Sequence, residues 1–149
     1  MGKTRTRNVK PSIFGHQYKS RDARSQFSTV MDTAVRGDVA VVQREKPVVI
    51  VRRDLYNAAL ESSAPFEVKG SVHEGQFSLW LEGVPVQGGG ATLEDAEDDF
   101  LDALVDYAEL WTRELRHAPN HKQNGVLVQR IAMYAESRDD LREVVFGAD

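Results

Sequence analysis

The side chains that could perform catalysis or bind a metal ion do not form a recognisable site in this sequence. His117 and His121 have the four-residue spacing of metal ligands on one helix face, but Pro119 lies between them and argues against a regular helix there. Asp102 and Asp106 could touch one ion, yet two carboxylates on an exposed helix make a weak metal site. The chain contains no cysteine, which excludes a thiolate nucleophile, a disulfide and a cysteine-containing zinc site.

Glycine and serine residues do not supply a reactive site either. The glycine run at residues 88–90 lacks the Gly-Lys-Ser/Thr ending of a phosphate-binding loop, and no buried strand precedes it. We interpret this run as a flexible turn that ends a short strand at residues 84–86. No serine has a histidine and an aspartate suitably placed for a nucleophilic relay. The sequence therefore predicts no catalytic residue, no metal and no cofactor, and we expect a binding protein rather than an enzyme.

Charge is distributed very unevenly along the chain. Residues 1–60 contain 12 lysines and arginines against 5 acids, which gives a net charge of +7. Residues 61–149 contain 7 lysines and arginines against 18 acids, which gives −11. A basic segment suits the phosphates of nucleic acid, whereas an acidic segment suits a basic protein. The asymmetry predicts two units with different partners.

The basic half predicts a small unit at residues 12–61 behind a flexible basic arm at residues 1–11. Apolar residues at helical spacing, from Ala23 to Val35, predict one helix face. The expected elements are an edge strand at 13–18, a helix capped by Ser20 and ended by Gly37, strands at 39–42 and 48–51 around a turn at 43–46, and a helix at 55–61 capped by Asp54.

The acidic half, residues 66–149, follows a short linker at 62–65. Alternating apolar residues predict a hairpin, and Phe77 is expected on the same strand face as Leu79 and Leu81. Trp80 and Trp111 are expected in the core. The predicted elements are strands at 66–72 and 77–81, a long helix capped by Thr92, lined by Leu93, Phe100, Leu104, Tyr107, Trp111 and Leu115 and ended by Pro119, and helices at 126–134 and 139–145. The predicted fold class is therefore α+β.

The basic half resembles the N-terminal module of Phd/YefM-type antitoxins. The matching features are a helix that starts around Ala23-Arg24, a Gly37-Asp38 turn, two valine-rich strands around Arg44-Glu45-Lys46-Pro47, and Tyr56 in the next helix. The resemblance implies a homodimer whose basic faces lie in adjacent major grooves of a palindromic operator. We expect Phe27, Val30, Met31, Val41 and Val49 to form the dimer interface, with the core of the unit as the alternative for those on the helix.

The DNA-contacting residues expected from this resemblance and from the charge pattern lie in three segments. A helix N-terminus suits a phosphate, and arginine is the commonest side chain that reads guanine. We therefore expect Arg24 to contact a base or phosphate, Gln26 to read adenine, and the basic turn to anchor phosphates. The full set is Ser20, Arg21, Arg24, Ser25 and Gln26 in the helix, Arg44 and Lys46 in the turn, and Arg5, Arg7 and Lys10 in the arm.

The acidic half resembles the HicB antitoxin domain, which has a reduced RNase H-like fold. The matching features are the hairpin from Gly75-Gln76-Phe77 to Glu82-Gly83 and the helix start Thr92-Leu93-Glu94-Asp95-Ala96. The resemblance implies that this half covers a basic protein toxin. It points to an acidic toxin-binding helix face, alternatively a solvated face without a partner, at Glu94, Asp98, Asp102 and Asp106.

These observations together predict a cytoplasmic antitoxin that represses its own operon as a dimer or tetramer and neutralises a toxin encoded beside it. The first residues show no secretory signal, and no stretch is long and apolar enough to span a membrane. Two alternatives remain open. One is a transcriptional regulator without a toxin. The other is a metal-dependent RNase H-like nuclease, although the acids cluster on one helix instead of converging on two ions.

Overall fold

The computed structural model describes residues 16–147, which contain both helices and sheets, so the α+β class is confirmed. Arg5, Arg7 and Lys10 of the expected basic arm lie outside the described residues. Two compact units divide between Tyr56 and Asn57. No helix in residues 16–147 has the length and apolar character needed to cross a membrane.

The first unit is a three-stranded sheet with helices on one side. The strand order is β1-β2-β3, with β1 parallel to β2 and β3 antiparallel to it. Ala23, Val30 and Ala40 form its core. The elements are β1 (His16–Lys19), α1 (Ser20–Ser25), α2 (Phe27–Val35), β2 (Ala40–Gln43), β3 (Val48–Ile50) and α3 (Arg53–Glu61), the last of which runs into the second unit.

The prediction of a single helix from Ser20 to Gly37 is wrong, because the helical backbone is interrupted at Gln26, which has φ −119° and ψ 37°. The Ser25 hydroxyl donates to the Asp22 carbonyl oxygen at the end of α1. Such local bonds compete with a continuing helix. Ser20 is not the N-cap either, since it is the first helical residue and Lys19 occupies the capping position.

Of two other predicted helix ends, the one at Gly37 is correct and the one at Asp54 is wrong. Gly37 ends α2 as expected, because its φ of +92° lies in the left-handed region and its N–H donates to the Ala34 carbonyl oxygen. Asp54 does not cap α3, which begins one residue earlier. Its carboxylate instead accepts hydrogen bonds from Arg52, and these hold the pKa of the Asp54 carboxyl below its usual range.

The second unit is an antiparallel sheet covered on one face by helices, and its strand order is β4-β5-β6. The closest packing is mostly between elements that follow each other in the chain, so the hairpin, the third strand, the long helix and the last two helices each contact the next. The elements are β4 (Val68–His73), β5 (Gln76–Leu81), β6 (Gln87–Gly90), α4 (Leu93–Arg113), α5 (Gly125–Tyr134) and α6 (Arg138–Phe146), with 3₁₀ turns at Leu115–His117 and Lys122–Asn124.

The interpretation of the glycine run as a flexible turn is wrong, because these glycines form β6. The third strand is therefore Gln87–Gly90 and not residues 84–86. A Cβ on Gly88 would stand 2.2 Å from the Phe100 nitrogen, and one on Gly90 would stand 2.5 Å from the Asp95 Cβ. Helix α4 thus crosses β6 so closely that a side chain would not fit. The glycines are needed for helix–strand packing.

Helix α4 begins at its predicted cap, but its first apolar residue and its end differ from the prediction. The Thr92 hydroxyl oxygen accepts from the Asp95 N–H at 3.1 Å, as a capping residue does. Leu93 is 49% exposed, because it precedes the part of the helix that crosses β6. The helix ends at Arg113, well before Pro119.

The predicted strand faces of the hairpin are mostly correct. Leu79 and Leu81 are buried and Phe77 packs against the same core, as expected. Trp80 is only half-buried and lies outside the core, because it alternates to the opposite face of β5. Trp111 packs against the core and donates its indole N–H to the His121 carbonyl oxygen at 2.8 Å.

A buried arginine on α5 contacts residues from the middle of α3 to the segment just before β4. Arg130 on α5 is 2% exposed, and its Nε donates to the Asn57 Oδ1 at 2.9 Å. Its Nη1 donates to the Ala64 carbonyl oxygen, and the guanidinium lies 4.4 Å from the centre of the Phe66 ring. Burial lowers the pKa of Arg130, and the Glu61 carboxylate opposes this effect. The side chain thus joins three parts of the chain that precede β4.

We expect Arg130→Lys to lower the free energy of unfolding by about 2–3 kcal/mol, because lysine keeps the charge but cannot replace the planar fork of donors. Urea denaturation followed by circular dichroism measures this change. Arg116→Lys is the matched control, since Arg116 is exposed and rests on the Trp111 ring at 5.6 Å. Equal midpoints for the two variants would contradict a fastening role for Arg130.

Candidate functional site

The two basic segments that the sequence predicts to contact DNA meet at one end of the first sheet. Because β1 and β2 are parallel, Lys19 and Gln43 are register partners at their carboxyl ends. The chain passes from Lys19 directly into α1 and from Gln43 into the turn before β3. Both segments therefore leave the same sheet edge. We call Lys19, Arg21, Arg24, Arg44 and Lys46 the basic edge.

The side chains of the basic edge are exposed, and none makes an ion pair with another residue of the described chain. Ser20, Ser25 and Gln26, which were also expected to contact DNA, lie exposed in the same segment. The expectation that Arg24 sits at a helix N-terminus is wrong, since it occupies the last turn of a six-residue helix. Arg24 would therefore attract a phosphate through its own charge and not through a helix N-terminus.

Two other arginines of the first unit are engaged within it. Arg36 stands 3.8 Å from the Asp38 carboxylate, and Asp38 also lies 3.5 Å from the His16 ring. Arg36 and Asp38 precede β2, so they lie at the opposite end of that strand from Gln43. Arg52 pairs with Asp54 at 2.6 Å. Among residues 16–56, the cations without an ion pair to a described residue are thus concentrated at the basic edge.

The residues expected at a dimer interface occupy three different environments. Val30 is 1% exposed in the core of its own unit, so it is unavailable to a partner. Val41 and Val49 are cross-strand neighbours. They lie on the outer face of the sheet, because the alternate residues point into the core. Phe27 and Met31 lie on α2 and are 62% and 39% exposed.

Helix α2 carries an apolar face that no element within residues 16–56 covers. Phe27, Met31 and Val35 recur at four-residue intervals, and Val35 is 63% exposed. Residues at this spacing share one side of a helix. The sequence pattern placed them on the same face as Val30 and Ala34, but those two are buried against the sheet. The helix thus has one inward and one outward apolar side.

The acidic face expected on α4 is partly neutralised by the last helix. Glu94, Asp98, Asp102 and Asp106 are all exposed. Arg142 on α6 hydrogen-bonds to Glu97 and Asp98, and Arg138 hydrogen-bonds to Asp102. The sequence reasoning missed these pairs, although Arg138 and Arg142 have the four-residue spacing that matches acids on a neighbouring helix.

A shallow groove of about 350 Å³ runs between α4 and α5. Val105, Ala108, Ala132 and Ala135 give it an apolar floor. A more polar cavity of about 460 Å³ shares Val105 and Ala135 with it. The charged side chains around the groove and the cavity are Asp102, Asp106, Glu109, Glu136, Arg113 and Arg138. Asp102 pairs with Arg138. The other three acids, Asp106, Glu109 and Glu136, lie on the rim and make no ion pair with a described residue.

Of the two histidines with metal-ligand spacing, His121 has another hydrogen-bonding partner. His121 Nδ1 lies 3.0 Å from the Tyr107 hydroxyl, and that hydroxyl also accepts from the Asn124 side-chain amide at 2.8 Å. Across residues 16–147, no three or more histidine, aspartate or glutamate side chains come together in a way that would hold a metal ion.

A protein-family model matches residues 16–146, a range that takes in most of both units. The model is that of the PHD-like family, described as the antitoxin of a RelE/RelB toxin–antitoxin system. This chain belongs to that family. The predicted antitoxin identity is confirmed at this level, and membership implies a cognate toxin as partner.

The antitoxin also has a similar solved structure. A crystal structure from Syntrophomonas wolfei, described as the antitoxin part of a proposed toxin/antitoxin system, superposes with a TM-score of 0.64. The likeness covers 87% of this antitoxin and 95% of that chain at 16% sequence identity, so it supports the fold. No curated protein matches the antitoxin.

Proposed function

We propose that this antitoxin binds operator DNA through the basic edge, represses its own promoter as a dimer, and neutralises its toxin through the second unit. The observation that carries the DNA-binding part is the convergence of two basic segments at the carboxyl ends of β1 and β2. Separate segments that meet on one rigid sheet can contact neighbouring phosphates at the same time. The cations of the basic edge have no ion pair with a residue of the described range 16–147, and their concentration at this edge supports the same function.

Within the basic edge, different side chains suit different contacts. Arg44 and Lys46 lie on a turn and are suited to anchor phosphates. Arg24 is on α1, an element small enough to approach a groove, and an arginine there can donate to guanine through two nitrogens. Arg21 and Lys19 add charge beside it. Ser20, Ser25 and Gln26 supply neutral hydrogen-bonding groups in the same segment.

A dimer would double this contact area and match a palindromic operator. The outward side of α2, with Phe27, Met31 and Val35, is the strongest candidate surface for the pairing, because three large apolar side chains lie exposed there. Val41 and Val49 on the outer face of the sheet form a second, smaller candidate. Val30 is left out of this proposal because it is buried.

The direct test is a gel shift with a DNA duplex taken from upstream of the gene. We expect a discrete shifted band whose affinity falls steeply with salt, since each phosphate contact releases counterions. A duplex of scrambled sequence is the control for non-specific attraction. Equal affinity for the two duplexes at physiological salt would argue against operator recognition.

For the toxin, we propose that the groove between α4 and α5 receives a basic amphipathic helix. Its apolar floor suits the apolar side of such a helix, and Asp106, Glu109 and Glu136 on the rim suit its cations. Glu94 extends the acidic surface at the start of α4. Asp98 and Asp102 contribute less, because the arginines of α6 already neutralise them.

We expect the double substitution Asp106→Lys with Glu136→Lys to reduce capture of the toxin about tenfold or more, because like charges would then face each other across the groove. The assay is co-purification with the product of the neighbouring reading frame, together with rescue of growth. Glu74→Lys, at the exposed tip of the hairpin, is the matched control. If the neighbouring product is harmless when expressed alone, a regulator without a toxin becomes the better description.

A further inference from the structure

In the described part of the chain, one edge strand of the second sheet is covered by a helix and the other is not. At the edge strand β6, the outward N–H of Gly89 donates to the Asp99 carboxylate at 2.8 Å, so α4 covers that edge. At the opposite edge of the sheet, no element of residues 16–147 pairs with the side of β4 that faces away from β5. An uncovered edge strand presents a row of backbone donors and acceptors to another strand.

The backbone groups that β4 presents can be identified from the register. The Leu81 N–H donates to the Val86 carbonyl oxygen at 3.2 Å, so Leu81 faces the β6 side of β5. Backbone N–H and C=O groups alternate in direction along a strand, so those of Trp80 and Ser78 point toward β4. They bond to the backbone groups of Lys69 and Ser71. The outward groups of β4 therefore belong to the alternate residues Val68, Gly70 and Val72.

We propose that β4 pairs antiparallel with β4 of a second copy of this chain, centred on Gly70. In the segment Val68-Lys69-Gly70-Ser71-Val72, the two valines lie at equal distances on either side of Gly70. In this register Gly70 lies opposite the partner's Gly70, and Val68 lies opposite the partner's Val72. All three outward residues of each strand then gain bonds, and two three-stranded sheets become one of six strands.

Side-chain properties favour this register. Val72 is 61% exposed, and the partner's Val68 would cover it. A shift of two residues would place Val72 either against the partner's Gly70, which leaves it uncovered, or against the partner's Phe66, which lies outside β4. A shift of one residue would misalign the bonding groups. Lys69 would lie opposite the partner's Ser71, and its charge is already balanced by Glu82 at 3.0 Å. No like charges stand directly opposite each other.

The register makes a specific cross-linking test possible, because the chain has no cysteine of its own. Lys69 and the partner's Ser71 would form a non-hydrogen-bonded pair, whose Cα atoms lie about 4.5 Å apart, within disulfide reach. We expect co-expressed Lys69→Cys and Ser71→Cys chains to form a disulfide-linked dimer on oxidation. Either variant alone should link far less, and equal linking by single variants and mixture would overturn the register.

A second measurement uses the uncross-linked full chain. Val72→Lys places a charge on the exposed edge, and we expect it to halve the mass of the assembly in light scattering after size exclusion. Leu93→Lys is the matched control, since Leu93 is similarly exposed but lies on α4. An unchanged mass would overturn the proposal. If Val72→Lys instead weakens only toxin capture, the strand that occupies this edge belongs to the toxin and the proposal is also wrong.

Discussion

We expect Arg24→Ala to abolish the gel shift of the operator duplex while leaving the fold and the assembly of the antitoxin intact. Arg24 is exposed and makes no ion pair with a described residue, so alanine removes no internal contact of that kind. A lost arginine–base contact costs about 1–3 kcal/mol per site, or roughly one to two orders of magnitude in affinity. A dimer would lose the contact twice.

Salt dependence separates a base contact from a phosphate contact. Removal of one phosphate contact is expected to weaken binding to all sequences and to lower the slope of log affinity against log salt by about 1. Lys46→Ala should behave in this way. Arg24→Ala should also reduce the discrimination between the operator and the scrambled duplex if Arg24 reads a base.

Arg36→Ala is the matched control for Arg24→Ala. It removes the same charge from the same unit, but Arg36 lies near the amino end of β2, away from the basic edge. We expect an affinity close to that of the unchanged protein. If both variants lose binding equally, the attraction depends only on the total charge of the unit. An unchanged shift with Arg24→Ala would refute the basic edge as the binding surface.

The second large effect is expected at Gly88, where alanine should lower the free energy of unfolding of the second unit by about 3 kcal/mol or more. Overpacking usually costs about 1–3 kcal/mol when neighbours can move. Here the added Cβ would stand 2.2 Å and 2.5 Å from the Phe100 nitrogen and Cα, and backbone atoms inside a helix cannot give way separately. The strand and α4 would have to separate.

The measurement is thermal unfolding, in which a loss of this size lowers the midpoint by about 10 °C or more for a unit of this length. Gly89→Ala is the matched control on the same strand, because a Cβ there meets only the Phe77 carbonyl oxygen at 3.3 Å. The alanine also keeps the N–H that bonds to Asp99. Similar midpoints for the two variants would show that α4 can withdraw from β6 at little cost.

Local sequence signals predicted the elements that depend on local chemistry. The cap at Thr92, the end of α2 at Gly37 and the face shared by Phe77, Leu79 and Leu81 all follow from short-range rules about caps, left-handed backbone and alternation. These rules involve residues close together in the chain, so one sequence contains the information needed to apply them.

The features that the sequence did not predict depend on contacts between distant residues. Glycines usually mark turns, and only the close passage of α4 explains why residues 88–90 form a strand. The sequence alone suggests that Arg130 is a surface residue of a short helix, because its partners Asn57 and Ala64 lie far away in the chain. Four residues of the basic edge were predicted and Lys19 was missed, while the convergence of all five depends on the parallel pairing of β1 with β2.

The sequential packing of the second unit has a kinetic consequence. Its hairpin, third strand, long helix and last helices each pack mainly on the element that precedes or follows them. Contacts between near neighbours in the chain close only short loops, so little loop entropy opposes the folding transition state, and domains of this kind fold quickly. The unit can therefore acquire its structure soon after its last helix leaves the ribosome.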